Sequence, residues 1–265
     1  VQDAIPIQRI WPDGIFQVGS RFSKTFSFTD INYQIAGKED KTAMFLDYSE
    51  LLNALDSGAS AKITINNRKI NKAEFEQSLL LPMKEDGLDH FRKEYNEMLL
   101  SKVTGTNNSV VQDRYITITV AKRNIDEART YFSRVGTDLI THLSQLSSIG
   151  RELDAGTRLQ IFRDFFKGGE PAAFEFNLKE QMKNGHSFKD WLCPDSMEFQ
   201  KDHFRLNDRW GRVLYLQGYA SYIKDSMITE LCDMDRSLML SIDILPVPTD
   251  EAVREIQNKL LGVET

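Results

Sequence analysis

Three arginines surround a tryptophan near residue 210, and these residue types point most directly to ligand binding. The group consists of Arg205, Arg209, Trp210 and Arg212. Guanidinium groups can bind phosphates while an aromatic ring stacks on a base. The group is therefore a candidate contact for a nucleic acid, a nucleotide phosphate or a protein partner. Asp202 and Asp208 lie close by in the sequence, so internal ion pairing is the alternative interpretation.

No phosphate-binding loop can be identified in the sequence. Such a loop needs a glycine-rich turn that ends in Gly-Lys-Ser or Gly-Lys-Thr, so that backbone N–H groups and the lysine meet the phosphates. The one Gly-Lys pair, Gly37-Lys38, is followed by Glu39. A dinucleotide-binding glycine fingerprint is also missing. We therefore expect no nucleotide hydrolysis and no cofactor in this chain.

Metal and nucleophile motifs are equally weak. His186, Cys193 and His203 lie within 18 residues of each other, but without the paired spacing of a zinc site. Carboxylates cluster at Asp233-x-Asp235 and within 85–89, where a solvated helix end or loop is the simpler interpretation. No Gly-x-Ser-x-Gly elbow occurs. We expect no metal and no catalytic residue.

Composition narrows the class of protein. The chain has 265 residues and a formal net charge of −6, with a pI near 5.4. This acidity argues against a surface that coats nucleic acid, because such domains are usually basic. Two cysteines are too few for a disulfide framework and suit a reducing compartment. No apolar run approaches the ~18 residues that a membrane-spanning helix needs.

Periodicity predicts the elements that must position these residues. In the first half, strands are predicted at 15–18, 24–29 and 61–65, and helices at 41–55 and 88–102. In the second half, the predicted elements are a strand at 115–120, helices at 125–146 and 157–166, a strand at 212–217, a helix at 223–234, a strand at 238–247 and a helix at 249–261. Asn124 and Glu127 predict a capped helix start.

The order of these elements predicts an α+β fold. We expect a mixed, largely antiparallel sheet, or two sheets, with helices packed on the faces. The polar loop at 103–110 is the best boundary if the chain forms two lobes, 1–110 and 111–265. One continuous sheet is the alternative.

The last predicted helix carries Val253, Ile256 and Leu260 on one face. This face would be weakly covered if nothing packed against it. We therefore predict that these residues form an interface with a further domain.

Five segments resemble a known family of proteins. They are FSFTDINY, LDYSELLNALDSGASAKITINNR, SFKDWLCPDS, GRVLYLQGYASYIKDSMITEL and SIDILPVPTDEAVREIQNKLLGVET. The sequence from about Asp13 to Thr265 resembles the N-terminal part of the conjugal-transfer ATPases of Gram-positive conjugative transposons. These enzymes belong to the type IV secretion assembly ATPases of the TraC/TraE-like type.

The resemblance implies an accessory N-terminal domain that spans 1–265, followed in full-length members by a RecA-like motor. The motor would hold ATP and Mg²⁺ and would lie at the cytoplasmic face of the membrane. The nucleotide-binding motifs of the motor have no counterpart in this sequence, so the resemblance implies a non-catalytic docking and assembly module. It also implies a cytoplasmic location, peripheral at the inner face of the membrane. Implied partners are its own motor domain, other channel subunits and further copies of itself. Contact with the transferred DNA strand is the alternative.

Overall fold

The structure is a computed structural model of the chain. It describes residues 2–31, 33, 35–69, 80–105, 110–167, 180, 183, 185, 187–218, 221–222, 224, 226–234 and 236–263. His186 and Asp235, named above as candidate metal ligands, lie outside this described part. Residues 106–109 of the predicted loop at 103–110 lie outside it as well.

Helices and strands together give an α+β fold. The helices are α1 (Lys38–Asn53), α2 (Asp89–Gly105), α3 (Ile125–Gln145), α4 (Ala155–Lys167), α5 (Phe188–Leu192), α6 (Ser226–Cys232) and α7 (Thr249–Val263). The strands are β1 (Arg9–Ile10), β2 (Phe16–Val18), β3 (Arg21–Phe28), β4 (Ala59–Lys69), β5 (Val110–Ala121), β6 (Gly150–Glu152), β7 (Met197–Phe199), β8 (Phe204–Leu206), β9 (Arg209–Gly211) and β10 (Leu238–Ile244).

Seven strands form the main sheet, in the order β1-β2-β3-β5-β4-β10, with β6 also paired to β3. Strand β3 runs antiparallel to β5 along its whole length, from Arg21 opposite Ala121 to Phe28 opposite Arg114. The alternating β-branched residues of β5 explain this pairing, because such side chains pack well on a pleated surface. The second sheet is a small antiparallel meander, β7-β8-β9.

The main core lies between the sheet and helices α1 and α3. Phe26 and Ile118 of the sheet and Phe132 of α3 are among its fully buried side chains. Gly136 of α3 allows close packing, since a Cβ there would meet the Phe26 ring at 3.0 Å. Helix α3 starts as predicted: the Asn124 side chain accepts a hydrogen bond of 2.9 Å from the Glu127 amide.

A smaller core joins the N-terminal segment to α4 and α5. It contains Ile5, Ile7, Phe16, Ala155, Leu159, Trp191, Leu192 and Cys193. A capping box begins the short helix α5, in which the Ser187 side chain and the Asp190 side chain bond to each other's backbone. Burial raises the pKa of the Cys193 thiol, which behaves here as a small apolar side chain.

The chain forms two compact units. Unit 1 comprises Val1–Thr64, Arg114–Tyr215 and Ser241–Thr265, and unit 2 comprises Ile65–Asp113 and Leu216–Leu240. Both are discontinuous in sequence, whereas the lobes considered above were continuous ranges. In unit 2, Asn96 of α2 exchanges two hydrogen bonds of 2.9 Å with the backbone of Leu81.

The predicted helices at 41–55, 88–102, 125–146, 157–166, 223–234 and 249–261 are confirmed, with ends shifted by a few residues. The strand predicted at 212–217 is wrong: this segment pairs with no strand among the described residues. Its apolar residues, with Val213 and Tyr215 among them, favour a strand, but a strand also needs a neighbour. Across the described residues, no helix combines the length and apolar character needed to cross a bilayer.

Candidate functional site

The meander positions the predicted arginine–tryptophan group in unit 1. In its register, Arg205 of β8 lies directly opposite Trp210 of β9, and Glu198 of β7 lies on the other side of Arg205. Residues that lie directly opposite each other project from the same face of a sheet. Arg209 pairs with Leu206 and therefore belongs to the opposite face. The structure thus brings Arg205 and Trp210 together and separates Arg209 from them.

Trp210 is the centre of an aromatic and cationic cluster. The Arg205 guanidinium lies 5.8 Å from the Trp210 ring centroid, within the range of a cation–π contact. The His203 ring lies 5.0 Å from Trp210 on a tilted plane. Trp210 itself remains 68% exposed. A large aromatic side chain held in place by neighbours yet open to solvent is suited to contact with a ligand or partner.

Acidic side chains lie beside the cations of this cluster. The Arg205 guanidinium is 3.5 Å from the Asp208 carboxylate. Arg212 donates to the backbone carbonyl of Asp202 at 3.1 Å and lies 3.7 Å from its carboxylate. The internal ion pairs considered as the alternative interpretation are therefore present. Because these carboxylates offset the positive charge, the cluster offers a weak electrostatic footprint for a polyanion.

The other face of the meander carries the apolar residues Phe199 and Phe204 in addition to Arg209. Phe204 packs on Gly211, where an added Cβ would meet the Phe204 ring at 2.2 Å. The Phe199 and Phe204 rings lie 6.4 Å apart. Gly211 is therefore needed for the ring to lie against the backbone, and this packing fixes the strand that carries Trp210.

The second candidate surface is the apolar face of α7. Val253, Ile256 and Leu260 are 47%, 58% and 60% exposed. They are spaced by three and four residues, so they share one face of the helix. On a neighbouring face, the carboxylate of Glu255 lies 2.7 Å from the amine of Lys259. The described part of the chain therefore leaves the predicted interface residues open.

The weaker chemical candidates have local roles in the fold. Asp86 and Asp89 both accept hydrogen bonds from Arg92 near the start of α2. The His203 imidazole lies 2.8 Å from the Asp202 carboxylate. Among the described residues, no group of three or more histidine, cysteine or carboxylate side chains is arranged to hold a metal ion.

One open groove lies on the outer face of α3, with a volume of about 690 Å³. It is lined by Arg129, Thr130, Ser133, Arg134, Thr137 and Asp138. Both arginines are already paired: Arg129 lies 2.8 Å from Asp13 and Arg134 lies 3.2 Å from Asp56. The groove is therefore a solvated face of α3 and not an anion-binding site.

Sequence reasoning named Asp202 as an acidic neighbour of the Trp210 cluster but missed His203 as part of it. His203 and Arg205 are two residues apart, and so are Trp210 and Arg212, which is the spacing of residues on one strand face. This two-residue spacing indicates a shared face only if β8 and β9 are already known to be strands. Both are three residues long, too short for a periodic pattern.

Comparison with known proteins gives no family for the chain. No protein-family model matches the sequence, and no curated protein matches it.

Proposed function

We propose that the chain is a non-catalytic docking and assembly module of a type IV secretion ATPase of the conjugative-transfer type. In this role it links a RecA-like motor, on the cytoplasmic side, to the membrane channel. The segments that resemble this family are one support. The acidic charge, which suits a protein-docking surface, is another.

The observation that carries the proposal is the apolar face of α7. Val253, Ile256 and Leu260 expose about half of their surface each, and exposed apolar side chains grouped on one face typically mark a protein interface. A motor domain that covers this face would gain the hydrophobic free energy of three large side chains. ATP and Mg²⁺ belong to that motor in this proposal, because the sequence of this chain contains no Gly-Lys-Ser or Gly-Lys-Thr phosphate-binding loop.

A binding titration tests the docking role. The purified chain is titrated with the separately purified motor domain of a conjugal-transfer ATPase, as wild type and as Ile256→Glu. Ile35→Glu is the matched control, because Ile35 is 85% exposed and lies outside α7. We expect Ile256→Glu to weaken binding at least tenfold and the control to bind like wild type. Equal affinities for all three proteins, or no binding by any, would contradict the proposal.

A second candidate function is contact with the transferred DNA strand. The exposed Trp210 ring with the Arg205 guanidinium beside it favours this candidate, because aromatic rings stack on bases irrespective of sequence. Fluorescence anisotropy of labelled single-stranded DNA at about 50 and 200 mM salt tests it. Trp210→Ala should lose binding, while Phe199→Ala, which removes a similarly exposed ring from the other face, should not. If the anisotropy of the labelled DNA does not change when the wild-type chain is added, the chain does not bind the strand and this second candidate function is wrong.

A further inference from the structure

The segment that follows the meander is the most exposed apolar stretch of the described chain. Val213, Leu214, Tyr215 and Leu216 are 80%, 83%, 84% and 69% exposed. No backbone hydrogen bond joins them to another described residue. We call residues 212–217 the free strand, because the described structure pairs them with no strand and they would form one only by joining a sheet edge. Four consecutive large apolar side chains in solvent are unfavourable for an isolated chain, so something is expected to cover them.

The pattern of the free strand indicates what covers it. Successive side chains of an extended chain point to opposite faces, so this run is apolar on both faces. When such a segment pairs along the edge of a sheet, its backbone groups gain hydrogen-bond partners and its apolar side chains gain neighbours. A sheet edge with apolar residues is therefore a better match for the free strand than a flat surface.

Such an edge exists on β10. This strand is the last in the order of the main sheet, so one of its backbone edges has no strand partner among the described residues. Its known neighbour is β4, where Lys62 lies 3.4 Å from Asp243 and Thr64 lies 3.4 Å from Ser241. Unpaired edges are templates for the addition of another strand.

We propose that the free strand of one copy of this chain adds to the β10 edge of a second copy, antiparallel, with Arg212 opposite Asp243. This register places Val213 opposite Ile242 and Tyr215 opposite Leu240. Ile242 and Leu240 are half-buried residues of β10. Apolar side chains therefore meet on one face of the sheet. On the other face Arg212 meets Asp243, which is a favourable cross-strand pair, and Leu214 lies opposite Ser241.

Charge complementarity supports this register. The Arg212 and Asp243 side chains are both about two-thirds exposed, so both are accessible to a second copy. The Nε of Arg212 donates to the backbone carbonyl of Asp202. A guanidinium has five N–H donors, so this bond can persist while other donors reach a carboxylate.

A second copy is favoured because the free strand does not pair with β10 of its own chain: β10 is the last strand of its sheet, and residues 213–216 make no backbone hydrogen bond to a described residue. The area is also suitable. A fully buried large apolar side chain contributes about 1.5–3 kcal/mol at roughly 25 cal/mol per Å², which is about 60–120 Å², so four of them contribute about 240–480 Å² per copy. Reciprocal exchange between two copies, with the edges that receive the strands, reaches the ~1,200–2,000 Å² of stable dimers.

Sedimentation velocity of the purified chain tests the inference. The experiment needs no motor domain and no channel subunit. We expect a dimer for the wild type and for Ile35→Asp, and a monomer for the double variant Val213→Asp/Tyr215→Asp. All three should give the same circular dichroism spectrum, because the substituted side chains are exposed, and only the dimeric proteins should have a melting temperature that rises with protein concentration. A wild-type monomer at every concentration would overturn the inference, and so would a double variant that stays dimeric.

Disulfide trapping tests the register. Val213→Cys and Ile242→Cys chains are purified separately, mixed and oxidised, since residues opposite each other in a sheet lie within the Cα range of a disulfide. We expect a disulfide-linked pair in the mixture and not in either chain alone, and its absence would overturn the register. The double variant should still bind the motor domain through α7, so failure here is distinguishable from failure of the docking role.

Discussion

The Arg158 guanidinium lies 4.0 Å from the centroid of the Phe16 ring, inside the smaller core of unit 1. Arg158 donates a hydrogen bond of 2.6 Å to the carbonyl of Gly14 and one of 2.8 Å to that of Ser23. Burial lowers the pKa of Arg158, because it disfavours the charged form. The two carbonyls and the aromatic ring offset this cost, and together they tie α4 to the β2–β3 region.

Substituting Arg158 should therefore destabilise the fold without touching either candidate surface. Arg158→Ala leaves a cavity and two buried carbonyls without a donor, and we expect a loss of about 3–5 kcal/mol. Arg158→Met fills most of the space and removes the buried charge, so its loss should be smaller, about 1–3 kcal/mol. Urea unfolding followed by circular dichroism measures both, and a smaller loss for alanine than for methionine would contradict this account.

Gly14 should tolerate no side chain. Its φ is +79°, and an added Cβ would lie 1.9 Å from the backbone oxygen of Leu153. Gly19 also has a positive φ, +59°, but open space around it, which makes it a matched control. Gly19→Ala should lower the free energy of unfolding by about 1–2 kcal/mol, because a residue with a Cβ is disfavoured in the left-handed backbone conformation. Gly14→Ala should cost clearly more, and similar urea midpoints for the two variants would show that the close approach to Leu153 is unimportant.

The start of α2 should be sensitive to acid. The hydrogen bond from Arg92 is the main cause that lowers the pKa of Asp86 to about 2. A carboxylate with a lowered pKa contributes stability above its ordinary pKa of 3.8, and this is lost as the pH falls from about 4 to about 2. An NMR titration of the Asp86 carboxyl carbon should give a midpoint near 2 in the wild type and in Lys93→Gln. Arg92→Gln should raise it, and an unchanged midpoint would contradict the role of Arg92.

How far the sequence predicts this fold depends on how local each signal is. The start of α3 rests on Asn124 and Glu127, three residues apart, and it was predicted correctly. The buried face of α3 follows from its spacing of Ala128, Phe132 and Val135. Arg158 was not foreseen as a core residue, because a cation in an amphipathic helix is normally assigned to the solvated face. Its role depends on two carbonyls more than a hundred residues away.

The candidate site was predictable in residue type but not in arrangement. The sequence singled out Arg205, Trp210 and Arg212, yet only the register of β8 and β9 shows that Arg209 projects from the other face. For the free strand, the composition predicted a strand that the structure does not contain. A strand forms only where a second segment is available to pair with it, and the composition of one segment does not show whether such a segment exists.

Gly211 should matter more for stability than the exposed ring beside it. Gly211→Ala forces its Cβ into the Phe204 ring, and we expect a loss of about 1–3 kcal/mol from overpacking. Trp210→Ala removes a surface side chain and should change stability by about 0.5 kcal/mol or less. Gly218→Ala, with nothing within 4 Å of the added Cβ, is the control. Urea unfolding ranks the three, and a loss for Trp210→Ala equal to that for Gly211→Ala would assign the ring a structural role.

Helix α7 should be the least protected long helix of unit 1 in the isolated chain. Its apolar face is half exposed, and helical stability in proteins comes mainly from packing of such a face. Hydrogen exchange should therefore show protection in α7 at least about 100-fold lower than in α3, whose inner face is buried. Ile256→Glu should change this exchange little, because the Ile256 side chain is 58% exposed. Slow exchange throughout α7, equal to that of α3, would show that the helix already has a full partner within this chain and that its apolar face does not await another domain.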